Sequence, residues 1–182
     1  MAKKATSKKT ASKKATAKKA PTKEATAKEE QPSADKQLSI AKIYVKDFSF
    51  ESPQSPRVFQ TDEWAPKTNL NLRSTHTPIS GDFHEVVLTI TVEAKDGDKS
   101  LFLVELQQAG LFQVSGHTPE EDGLLFGSFC PNILFPYARE SISAMVQKGG
   151  FPEFVLQPIN FDALYVQGLK QQQELAAQSE KH

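Results

Sequence analysis

Hydrophobic and polar positions divide this chain into two unlike parts. Apart from Met1, residues 1–36 contain no large apolar side chain, and the first aromatic of any kind is Tyr44. From residue 39 the pattern becomes the two-residue alternation of a strand, with Ile43 and Val45 and, after a short break, Phe48 and Phe50. The run Ser52-Pro53-Gln54-Ser55-Pro56 should end that strand, because proline cannot donate to a ladder. Asn69-Leu70-Asn71-Leu72 alternates briefly and fits an edge strand or a loop. The strongest strand signal follows: Val86, Leu88, Ile90, Val92 and Ala94 occupy one face, and Val87, Thr89, Thr91 and Glu93 the other. Asp96-Gly97-Asp98 predicts a hairpin turn. The return strand over 100–108 sets Phe102, Val104 and Leu106 against Leu101, Leu103, Glu105 and Gln107, so both of its faces carry large apolar groups. Such a sheet needs cover twice, by helices of this chain on one side and by a second copy on the other. Residues 111–115 are expected to complete a four-stranded antiparallel meander.

Helical spacing takes over after Gly116. Thr118-Pro119-Glu120-Glu121 has the form of a capped helix start, with Thr as cap, Pro at the first position and Glu at the third. A second helix is predicted over about 132–147, where Ile133, Leu134, Tyr137, Ile142, Met145 and Val146 make a broad apolar stripe that Gly149-Gly150 would end. Pro131 and Pro136 are expected to break or bend it. The last helix should start at Asn160 or Asp162 and run past Leu164, Leu169 and Leu175. Gly168 weakens it by roughly 1 kcal/mol, so it should lean on something. The expected class is α+β, a four-stranded antiparallel sheet with helices on one face.

Charge sharpens the division. Residues 1–36 hold 11 Lys against 4 Asp plus Glu, a net of +7, which leaves −7 on the remainder of a chain whose total is zero. The basic part is a degenerate pentad repeat (KKATS, KKTAS, KKATA, KKAPT, KEATA, KEEQP). A five-residue step gathers neither its lysines nor its alanines on one side of a helix or strand, so disorder is expected. The predicted organisation is a disordered basic tail over 1–36, a folded domain over 37–174 and a polar flexible end over 175–182. With 182 residues and 38% hydrophobic content, one domain can hold a real core. A single cysteine, Cys130, allows no internal disulfide, and neither a secretory signal nor a membrane span is seen. The expectation is a cytoplasmic protein.

Chemistry-bearing motifs are few. No phosphate-binding GxxxxGK[ST] occurs, and Gly97-Asp98-Lys99-Ser100 is a turn with a lysine in it. His76, His84, His117 and His182 lack the i, i+4 spacing of a metal site. Cys130 beside Pro131 reads as a packed small side chain rather than a nucleophile. Glu120 and Glu121 start a helix and Asp96 and Asp98 make a turn, which explains these carboxylates without acid-base catalysis. No catalytic residue, metal or cofactor is expected.

Four stretches resemble SecB, the tetrameric protein-export chaperone family of bacteria: IYVKDFSFE (43–51), followed by Pro53, Pro56, Val58 and Phe59; FLVELQQAG (102–110); CPNILFPYARE (130–140); and PINFDAL (158–164). The resemblance runs in order from about 39 to 173 and leaves out the basic tail. It implies an ATP-independent holdase that keeps unfolded precursors fit for export and delivers them to the SecA motor ATPase. It also implies a homotetramer, a dimer of dimers in which sheets of two subunits join. By the same resemblance Val104, Leu106 and Gln108 govern assembly, while Asp47, Glu51, Leu103 and Glu105 form the flat acidic surface that docks SecA. Client grooves would use Phe48, Phe50, Trp64, Leu70, Leu72, Tyr165 and Leu169. Phe48 and Phe50 have an equal claim to be ordinary core, whereas Trp64 sits in the loop Asp62-Glu63-Trp64-Ala65-Pro66, where an exposed aromatic marks a contact site.

The tail invites another class, sequence-nonspecific nucleic-acid binding, since its composition is like that of linker-histone tails. Against this, it has no Arg and no aromatic, and the acidic remainder repels DNA. Weak contacts of the tail with anionic surfaces are expected at most, with no specific nucleic-acid partner.

Overall fold

The computed structural model describes residues 36–60 and 65–179. The basic repeat up to residue 35 and Trp64 lie outside the described residues. The domain is α+β: strands β1 (Gln37–Glu51), β2 (Lys67–Ser80), β3 (Phe83–Asp96) and β4 (Lys99–Ser115) precede helices α1 (Pro119–Leu124), α2 (Cys130–Lys148) and α3 (Phe161–Ser179). The strands form one antiparallel sheet in the order β1-β4-β3-β2. The hairpin at Gly97 forms as expected, with Gly97 at φ +56° joining β3 to β4.

Two strand expectations need correction. Residues 111–115 are no separate strand, because β4 runs unbroken through Ala109 and Gly110 to Ser115. Gly110 there serves packing, not a turn: a Cβ on it would lie 2.6 Å from the Phe112 ring and 3.0 Å from Leu134. The sheet is therefore not a simple meander, since β1 crosses to pair with the outer edge of β4. The short alternation at Asn69–Leu72 belongs to a 14-residue edge strand whose largely polar sequence hides its length.

Local signals of the helices hold. Thr118 and Glu121 close the capping box, the Thr118 N–H donating to Glu121 Oε2 at 3.0 Å and the Glu121 N–H to Thr118 Oγ1 at 3.3 Å. A π-helical stretch, Leu125–Phe129, fuses α1 to α2, so the two expected helices form one helical run. Neither proline breaks it: Pro131 falls in the first turn of α2, and Pro136 forfeits only the bond to the carbonyl of Asn132, an exposed residue near the helix start. Gly149 caps α2, its N–H reaching the Met145 carbonyl at 2.8 Å, and Gly150 turns the chain away at φ +87°. Asn160 caps α3 by accepting the Ala163 N–H at 2.9 Å. That helix continues to Ser179, so residues 175–179 of the expected flexible end are helical.

The core lies on one face of the sheet. Leu134, Ala138, Ile142 and Val146 of α2 cluster with Val86, Leu88, Ile90 and Val92 of β3 and Phe102, Val104, Leu106 and Phe112 of β4. The opposite face receives no helical layer among the described residues. No helix among them is long and apolar enough to cross a membrane.

Candidate functional site

Cross-strand register arranges the candidate residues into two rows on the helix-covered face. One row runs Phe50, Val104, Val92, Leu70 and the next Phe48, Leu106, Ile90, Leu72, each in the order β1-β4-β3-β2. The centre of each row is sealed beneath α2, with Val104 and Leu106 at 0% exposure. Gln108 is sealed as well, at 2%, and its amide donates to the Tyr44 carbonyl at 2.9 Å, beside the bulge between Val45 and Asp47. None of these three side chains is exposed enough to meet another chain directly. An influence on assembly has to pass through the shape of β1 and the seat of α2.

The row ends differ. Phe48, Phe50 and Leu72 are half-buried and pack on the core. Phe50 stacks on Phe102 with ring centroids 6.2 Å apart, and Gly149 lies so close to the Phe50 ring that no side chain fits there. Leu70 on the β2 edge stays 43% exposed. Leu169 on α3 is 40% exposed, and Tyr165 is half-buried against Gly123 and Gly127. Tyr165 thus packs against the helical run, apart from the two rows. A Cβ placed on Gly168 would have nothing within contact distance, so the exposed part of α3 lacks the support its sequence calls for.

Sequence reading missed an aromatic cluster beside the Phe50 row end. Phe59, 50% exposed, lies 5.4 Å from Phe151, which lies 5.0 Å from Phe102, and Phe154 closes on Phe102 at 6.3 Å. A Cβ added to Gly150 would lie 3.2 Å from the Phe59 ring. The signal available was the concentration of Phe at 48, 50, 59, 151 and 154, but only tertiary pairing brings these positions together. A cavity of about 330 Å³, lined in part by Ala65, Pro66, Thr68, Phe102 and Phe154, opens at the β2 side of this cluster.

The uncovered face carries the acidic group. Asp47, Glu51, Leu103 and Glu105 fall together on adjacent β1 and β4, since Asp47 pairs with Gln107 and Glu51 with Leu103 while Ser49 pairs with Glu105. Glu93, which pairs with Leu103 from β3, adds a carboxylate that sequence reading did not single out, although Lys95 sits 3.0 Å from it. Farther along this face Glu85 accepts hydrogen bonds from Tyr44 and, at 2.7 Å, from Lys46, tying β1 to β3 across Ala109. The Lys46 ammonium and then the Tyr44 hydroxyl hold the Glu85 carboxyl below its usual range, and the same bond pushes Tyr44 up to about 12.

Cys130 is buried, and desolvation raises its thiol to about 12, which suits a packed side chain and not a nucleophile. No three His, Cys, Asp or Glu side chains converge to hold a metal among the described residues.

Comparison with known proteins agrees with this layout. Residues 29–172 match the family described as preprotein translocase subunit SecB. The chain is 52% identical over 147 residues to the protein-export protein SecB of Nitrosococcus oceani, covering 80% of this chain and 90% of that one. Against the protein-export protein SecB of Methylococcus capsulatus it is 49% identical over 154 residues, covering 85% and 99%. Among solved structures, a SecB-like chaperone of Mycobacterium tuberculosis in complex with a peptide from the HigA1 antitoxin shares the fold, with TM-score 0.58, 14% identity and coverage of 67% of this chain and 90% of that one. The sheet order, the helical run packed on one face and these matches establish that the chain belongs to the SecB family.

Proposed function

We propose that this protein is an ATP-independent holdase: it binds unfolded precursor polypeptides, keeps them fit for export and passes them to SecA, without catalysing a reaction. The observation that carries the reading is the contrast between a fully closed core and apolar side chains left open around it at Phe59, Leu70 and Leu169. Exposed apolar groups beside a half-buried aromatic cluster offer contacts that any unfolded chain can use. Burying one large apolar side chain yields about 1.5–3 kcal/mol. Several such contacts together reach the roughly 8 kcal/mol of micromolar binding once ordering costs are met.

Client contact is assigned to Phe59, Leu70, Tyr165, Leu169 and Trp64, with Phe48, Phe50 and Leu72 shaping the floor. The SecA surface is assigned to Asp47, Glu51, Leu103 and Glu105. Their clustering on the uncovered face supports this, because a flat acidic patch steers a basic partner at long range. Assembly as a dimer of dimers would cover the exposed Tyr137, Leu164 and Val166 on α2 and α3. One client wrapped over four subunits would then gain avidity without new contact types.

The test is aggregation of a denatured precursor with and without the protein in the absence of nucleotide, with Trp64→Ala and Leu70→Ser in parallel. Suppression by the parent chain and weaker suppression by the variants is the expected result. Equal suppression by both variants would remove these side chains from the client surface. Sedimentation of the free protein reads the tetramer independently.

A further inference from the structure

Where the β2 edge meets the helical run, two histidines are stacked on a phenylalanine. His76 of β2 and His84 of β3 share a hydrogen bond, Nε2 to Nδ1, at 2.9 Å. The Phe126 ring lies 3.8 Å from the His76 ring at an interplanar angle of 6°, and 4.7 Å from the His84 ring. Phe126 is buried and belongs to the π-helical link between α1 and α2. The three rings, with Ser74, Asp122 and Gly127, border an open cavity of about 460 Å³. Across the same short segment, Gly123 and Gly127 are the seat of Tyr165. The segment is thus held from β2 by the imidazole pair and from the other side by α3.

We propose that His76 and His84 form an acid-sensitive latch that fixes the helical segment 118–129 against the edge of the sheet, and with it the seat of Tyr165. The chemistry is that of a shared hydrogen bond between bases. With no proton or one proton added, one ring can donate and the other accept. With a proton on each ring both nitrogens are donors, the bond is lost, and two like charges face each other over the Phe126 ring. Titration of such a pair is coupled, so opening belongs to the second proton and not to either ring alone.

Electrostatics around the pair agree with this. Burial, and then the neighbouring His84, hold the His76 imidazole below its ordinary 6.5, while Asp122 of α1 pulls in the opposite direction. Among the described residues Asp122 is the one carboxylate bordering the cavity, and one of its oxygens is buried without a hydrogen-bond partner. A single proton on the pair is therefore offset by Asp122, but a second has no such counter-charge. The first turn of α1 carries two further acids, Glu120 and Glu121, neither of which borders the cavity; Glu121 is engaged by Lys36 at 2.6 Å, which keeps its carboxyl below the usual range. It stays ionised while the histidines titrate, so the two events fall in different pH windows. A lowered imidazole binds fewer protons folded than unfolded, so the latch contributes fully above about pH 6.5 and is lost as pH falls through the lowered value. This inference does not depend on Tyr165 touching a client.

Hydrogen exchange on the full chain in EDTA, at about pH 7.5 and about pH 5 and corrected for the intrinsic pH dependence of exchange, tests it. Peptides covering residues 118–129 should exchange roughly five-fold faster at the lower pH than the correction accounts for, the change one lost side-chain hydrogen bond supports. His84→Phe keeps a ring in place but cannot titrate, and it should abolish the acid response. An unchanged parent protein, or the same response in His84→Phe, would overturn the proposal. An NMR titration of the parent imidazoles tests the latch separately should the variant fail to fold. Coupled shifts of both rings are expected, whereas two independent single-step curves at ordinary midpoints would contradict the latch.

Discussion

The two faces of this sheet are written by the same four strands, yet they do opposite work. On the covered face every central position of β3 and β4 is apolar or small and sealed under α2, the buried Gln108 excepted. On the uncovered face the alternate positions are Thr89, Thr91 and Glu93 along β3 and Leu103, Glu105 and Gln107 along β4. Two-residue periodicity lets one segment supply both a sealed core and a more polar open face, because successive side chains point to opposite sides of the sheet. The proposed contacts therefore fall where the covered face runs out, at the sheet edges and along the helical run, and on the face that receives no helical layer among the described residues.

The sharpest way to break that comparison is to open the covered face. Leu134→Ala should cost about 2–5 kcal/mol, the range for a buried leucine whose surroundings collapse only in part, read as a lower denaturant midpoint. Gly110→Ala comes next, at about 1–3 kcal/mol, because the added methyl overlaps the Phe112 ring and crowds Leu134 within a packed layer. A mild effect in both would mean that α2 is not seated as described.

The uncovered face should respond less, and differently. Glu85→Ala removes the acceptor shared by Tyr44 and Lys46 and should cost about 1–3 kcal/mol, the scale of hydrogen bonds to a charged group. The same interaction gives a pH signature. A carboxyl held below its usual value binds fewer protons folded than unfolded. Its stabilisation is complete above pH 4.5 and is lost as pH falls through the depressed value. Glu85→Ala should flatten that part of the stability profile. The smallest change in stability is expected for Glu51→Gln with Glu105→Gln, within about 0.5 kcal/mol. The pair should nonetheless slow SecA association at low salt and reduce its salt dependence. Loss of stability with unchanged SecA binding would reverse the roles given to the two faces.

What could be read from the chain alone was what short-range physics dictates. The alternation from Val86 to Ala94, the turn at Gly97, the capping box at Thr118 and the stop at Gly149 each depend on residues a few positions apart. The pairing of β1 with the far edge of β4 does not, and neither does the length of β2, whose exposed polar sequence carries no periodic signal beyond Leu72. The continuity of β4 through Gly110 was hidden as well, because the space its missing side chain leaves is filled by Phe112 and by Leu134, two dozen residues later. The candidate sites divide the same way. The resemblance of whole strings located Asp47, Glu51, Leu103 and Glu105, and the register put them on one face. The Phe59 cluster and the His76–His84 pair became visible only when distant elements met.

The central claim is that side chains left open around a closed core hold unfolded chains without fuel. Its most direct measurement is light scattering of a denatured precursor diluted into buffer with no nucleotide and a stoichiometric amount of this protein. Scattering should stay near baseline while the precursor remains protease-sensitive and fit for transfer. Scattering that rises as fast as in buffer alone, with the protein itself folded, would contradict the account.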